Sequence, residues 1–192
     1  MIPRLVITAI LLGTLLPATA VGQTYENTTH VLVSGGTSTP VGGLSDFWST
    51  GPQGRLTLRF ATGSSMSIGL QAGVAGLHTD DGNSELVQYP MRIMAYFPLA
   101  PEASGTPYIA VGAGPTVNMF GCKEKVGPCY LADNKDDTRM YFAYSVMLGY
   151  TMRPEAMANT FFDFGIRYDQ QVINDKTDYK NLDVEVGIGL AF

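Results

Sequence analysis

From about Thr29 onward the chain alternates apolar and polar positions with a period of two, the pattern of strands whose faces meet different surroundings. The last segment displays it most fully. Leu182, Val184, Val186, Ile188, Leu190 and Phe192 share one face, and Asp183, Glu185, Gly187, Gly189 and Ala191 the other. The same alternation predicts eight strands, near 29–38, 54–62, 65–76, 86–97, 106–119, 138–152, 159–170 and 181–192. Longer connections are expected at 39–53, 77–85, 120–137 and 171–180, and shorter ones after the second, fourth and sixth strands. Short turns at one end and long loops at the other, with an even strand number, suit a barrel whose termini share the periplasmic side of an outer membrane.

Polarity decides between a soluble and a membrane barrel. One face is rich in Gly, Ala, Ser and Thr with a few charges, which suits the narrow interior of eight strands. The other carries bulky apolar side chains suited to lipid. A soluble barrel that encloses a ligand would reverse this arrangement. Aromatic residues gather near the strand ends, with Phe60, Phe97, Tyr108, Tyr150, Phe162 and Phe192 toward the turns and Tyr141, Phe142 and Tyr168 toward the loops. Two such girdles are expected at membrane interfaces. The expected fold is all-β: an eight-stranded antiparallel up-and-down transmembrane barrel over 21–192.

Residues 1–20 precede it as a cleavable signal peptide. Arg4 supplies the positive start, Leu5 to Leu16 the apolar stretch, and Ala18-Thr19-Ala20 the cleavage pattern. The apolar stretch is too short to cross a bilayer as a helix. Composition narrows the function. Only 15% of the 192 residues are charged, the net charge is −5, and the basic residues form no patch, so nucleic acid is not an expected partner. Two cysteines cannot make a four-thiolate zinc site. Cys122 and Cys129, with six residues between them in the longest loop of an exported chain, are expected to form a disulfide.

The chain resembles the small bacterial outer-membrane β-barrel family of the OmpA/OmpX-like kind over about 25–192. The resemblance rests on Ser38-Thr39-Pro40-Val41-Gly42-Gly43-Leu44-Ser45-Asp46-Phe47-Trp48, on Pro107-Tyr108-Ile109-Ala110-Val111-Gly112-Ala113-Gly114, and on the terminal Phe192. It implies outer-membrane lipid and lipopolysaccharide as surroundings. It also implies that barrel-assembly machinery reads Phe192 during biogenesis. It implies no activity, because a fold carries none by itself.

Candidate chemistry falls into three groups. Arg55, Arg59, Arg92 and Arg167 share the expected lumen face with Asp163, Asp183, Glu185 and Asp169. They can pair and plug the interior, or they can line a narrow porin-like channel; the plugged reading is preferred. Trp48, Phe47, Phe120 and Tyr130 can meet an extracellular partner or pack the loops together. His78, beside Thr79, Asp80 and Asp81, is the best base for a lipid A-modifying enzyme, with His30 the other imidazole. No His-x-Ser-Asn arrangement accompanies His78, and the expected protein is non-enzymatic. The acidic stretches at 80–85 and 133–137 lack the EF-hand spacing and read as solvated loop charge. No metal or cofactor is expected.

Overall fold

The computed structural model describes residues 28–42, 45–62, 66–79, 84–99, 105–122, 136–154, 156–157, 159–174 and 177–192. The signal-peptide segment 1–20, Asp80, Asp81, Cys129 and Tyr130 lie outside these residues, as does the side chain of Cys122. The strands are β1 (Thr29–Pro40), β2 (Gly51–Ala61), β3 (Ser67–His78), β4 (Ser84–Pro98), β5 (Gly105–Cys122), β6 (Asp136–Met152), β7 (Thr160–Asn174) and β8 (Thr177–Ala191). Each pairs antiparallel with its sequence neighbours, and β8 closes on β1. Strand number, order and polarity match the pattern in the sequence.

The closure is staggered. Stepping between cross-strand partners, the path His30, Arg59, Gly69, Met94, Gly112, Ser145, Asp169, Asn181 returns to β1 at Pro40, ten residues above its start. Such a stagger tilts eight strands by about 40° and leaves a bore that side chains can fill. Both chain ends meet at one rim, where the Phe192 amide donates to the Thr29 carbonyl at 2.9 Å.

The outer loops are shorter than the alternation suggested. The segment expected as a loop at 171–180 is mostly strand, with Asn174 opposite Thr177, and β3 and β4 extend to His78 and from Ser84. Polar residues there ended the visible hydrophobic alternation, but their backbones continue the ladder. Only the β1–β2 and β5–β6 connections stay long.

Inside and outside follow the alternation, and only the girdle assignment fails, at two aromatics. Val33, Leu56, Ile93, Leu148, Ile166 and Ile188 are exposed on the outer wall. Tyr108, assigned to a girdle from sequence, is instead buried in the lumen, and Tyr141 is half-buried against Tyr179. Both sit near strand ends, where position along the strand does not reveal the face.

Gly36 marks the tightest part of the β1–β8 closure, since a Cβ there would collide with the Val184 carbonyl, whereas at Gly35 it would make only ordinary contact, 3.7 Å from the Gln53 oxygen. Gly36→Val is expected to destabilise the barrel by about 2–4 kcal/mol and Gly35→Val by less than about 1 kcal/mol. Urea titration in detergent micelles, read by gel mobility of the folded form, checks this; equal effects would contradict the closure described.

Candidate functional site: a stratified lumen and its outer cap

Alternation along each strand sends every second side chain inward, and the stagger then stacks these side chains in layers. At the base of the barrel, toward the rim where the chain ends meet, Asp163 accepts from the Tyr108 hydroxyl at 2.6 Å and the Thr151 hydroxyl at 2.7 Å. Arg59 lies 3.8 Å from the same carboxylate, with its guanidinium 3.8 Å above the Tyr96 ring. That position combines an ion pair with a cation–π contact. His30 lies here too, buried against Phe161 and 3.3 Å from the Arg153 guanidinium.

Above the base, four strands meet through charge. Arg167 donates to Glu185 at 2.9 Å and to Gln71, whose amide donates to Thr57 at 2.9 Å. Arg55 pairs with Asp183 and reaches Asp169 at 3.3 Å, and Arg92 reaches the other oxygen of Asp169 at 3.4 Å. Asp169 therefore links β2, β4 and β7. All four arginines and all four carboxylates are buried. Equal numbers of opposite charges in one low-dielectric volume compensate each other's desolvation, which unpaired groups could not do.

Arg92 occupies a place made by proline. Pro90 and Pro115 have no amide proton to give a ladder. The β4–β5 pairing omits Met91 and Arg92 opposite Gly114 and Pro115, then resumes in the same register at Ile93 and Ala113. Arg92 takes the freed oxygens, donating to Pro115 at 2.8 Å and Met91 at 3.0 Å, and reaches the Thr116 hydroxyl at 2.8 Å.

Toward the outside come paired amides, with Asn118 donating to Gln171 at 2.7 Å and Asn181 to Gln88 at 2.8 Å. An apolar cap of Trp48, Leu77, Leu86, Phe120 and Tyr179 closes the mouth. Ser49 donates its amide to the His78 carbonyl at 2.8 Å, which ties the first loop to β3 and turns Trp48 inward. Trp48 and Phe120, candidates for external contact in the sequence, are 2% exposed and belong to this cap. Phe47 does face outward. Two cavities among the described residues are small: about 50 Å³ at the rim of the chain ends, beside His30 and Arg59, and about 10 Å³ between the charged and amide layers.

His78 is exposed on the outer wall, where the register sets it between Ser49 and Glu85. Thr79 does not join it, because its side chain is buried and accepts from the Ser84 amide at 3.1 Å. Among the described residues, no three His, Cys, Asp or Glu side chains gather as a metal site. Sequence reasoning missed the amide pairs and the methionines Met94 and Met147, whose shared levels depend on register, and the cap, most of whose residues fell in expected loops.

Solved structures share this architecture. Neisserial surface protein A matches with a TM-score of 0.66 at 11% identity, over 87% of this chain and 100% of that one. Ail, the attachment invasion locus protein of Yersinia pestis, matches with a TM-score of 0.58 at 13% identity, over 87% and 99%. The N-terminal β-barrel domain of Pseudomonas aeruginosa OprF matches with a TM-score of 0.55 at 12% identity, over 88% and 100%. No family model matches the sequence, and no curated protein matches it. The fold is that of small bacterial outer-membrane barrels.

Arg167→Met leaves Glu185 buried without its closest cation and should cost about 3–5 kcal/mol, most of it recovered by adding Glu185→Leu. Urea unfolding of the two variants in micelles tests the pairing. Additive losses in the double variant would contradict it.

Proposed function

We propose that this protein is a non-enzymatic outer-membrane barrel with a closed lumen, acting at the cell surface through its exposed outer end in surface contact or envelope stability. The observation that carries the reading is the filled interior. Among the described residues, two spaces in the bore measure about 50 and 10 Å³, room for a few waters, and a layer of paired charges lies between them. Above them the apolar cap adds a second barrier, one that disfavours ions and water alike. An interior spent on holding the wall together leaves the outer end and the lipid-facing wall for function.

The neighbours favour the same class of role. One is named a surface protein and one an attachment invasion protein, and a further structure of the latter holds the heparin analogue sucrose octasulfate. Here Phe47, exposed beside Asp46 on the first loop, is the apolar side chain best placed for a contact.

Reconstituted in planar bilayers, the folded wild type is expected to stay electrically silent. Discrete steps from folded protein would replace this reading with the narrow channel. In cells, Phe47→Ser should weaken surface attachment or detergent resistance, while the repacked Arg167→Met/Glu185→Leu barrel retains it. The reverse pattern would assign function to the lumen.

A further inference from the structure

The outer wall is apolar to unequal heights. With a stagger of ten residues over eight strands, each cross-strand step climbs about 1.25 residues toward the outer rim. At the periplasmic edge the apolar exterior begins at one level all round, at Phe60, Phe97, Phe162 and Leu190. At the outer edge it does not end at one level. Among the outward positions of β8 and β1 the last apolar residue is Leu182, followed by Lys180 and Asp178, with Thr37 and Thr39 alongside and half-buried Val41 beyond the end of β1.

On the opposite side the apolar surface continues through Val87, Val117, Met119, Phe142 and Met140. Phe142 is 60% exposed and Met140 69%. Each residue of a strand tilted by about 40° rises about 2.5 Å, so the high wall reaches about 30 Å and the low wall about 20 Å. A rigid tilt would lift the lower edge on the high side, and that edge is level.

We propose that the barrel imposes an uneven hydrocarbon boundary on its membrane. Lipid acyl chains climb the β4–β6 wall to Met119 and Met140. Along β8–β1 the boundary stops about 10 Å lower, at Leu182, and polar lipid headgroups meet Thr37, Thr39 and Lys180. The high wall is continuous with the lower apolar belt, which makes hydrocarbon its occupant rather than a separate partner. The inference rests on the transmembrane reading of the wall.

Nitroxide labels at matched heights test it. In a Cys122→Ser/Cys129→Ser background, single cysteines replace Val117 and Phe142 on the high wall and Thr39 and Lys180 on the low wall. Val186 on β8 and Leu148 on β6, in the lower belt beneath the low and the high wall, serve as references. In phosphatidylcholine vesicles, relaxation by oxygen relative to a nickel chelate should be several-fold greater at Val117 and Phe142 than at Thr39 and Lys180. Chelate-dominated relaxation at all four sites, with oxygen dominating at the references, would overturn the uneven boundary alone. Broadening at Phe142 that disappears on dilution with unlabelled protein would overturn it in favour of a second copy covering the wall. Chelate-dominated relaxation at Val186 and Leu148 would instead overturn the transmembrane reading.

Discussion

Charge balance inside a narrow bore is the interaction on which this structure depends. A wall in lipid must satisfy every backbone amide and carbonyl within itself, so its strands close into a barrel. Eight strands leave room only for side chains. Once arginines and carboxylates occupy that room, the barrel is stable only if each charge finds an opposite one. Asp169 between Arg55 and Arg92, and Glu185 on Arg167, provide those partners across strands distant in sequence. The network is therefore also a register lock, because a two-residue slip would keep every side chain facing inward and still separate the pairs.

Other features follow from that filling. Gly36 lies where β1 and β8 close most tightly, and Pro115, which has no amide proton, leaves the Met91 carbonyl to Arg92. The amide pairs and the Trp48 cap grade the interior from charged to polar to apolar toward the outer mouth. The wall outside answers to a different solvent, and its uneven apolar height is independent of the lumen.

The fold was legible because a period of two, sustained over eight segments, states both the strand and its faces. Leu182 to Phe192 alone show bulky residues meeting lipid and small or charged ones turned inward. What alternation cannot state is height. Thr116 and Asn118 read merely as polar inward residues, and Gln171 as the start of a loop, until the fold sets Asn118 and Gln171 beside one another. Trp48 read as a loop aromatic, since nothing local reveals that the Ser49–His78 bridge folds it into the mouth. The ends of β7 and β8 were lost for a related reason: Gln170, Gln171, Asp178 and Lys180 interrupt the hydrophobic signal while their backbones go on pairing.

Closure of the lumen to water-borne solutes is the central claim, and thiol reactivity inside the bore tests it most directly. Ser145 is 1% exposed, sits opposite Asp169 at the level of the charged network, and its hydroxyl lies 3.7 Å from the Met94 sulfur. Ser145→Cys adds a near-isosteric thiol at that point. In the folded barrel this thiol should resist a small charged methanethiosulfonate reagent and react fully once unfolded in urea. Rapid modification of the folded protein would mean an open, solvated lumen and would contradict the account.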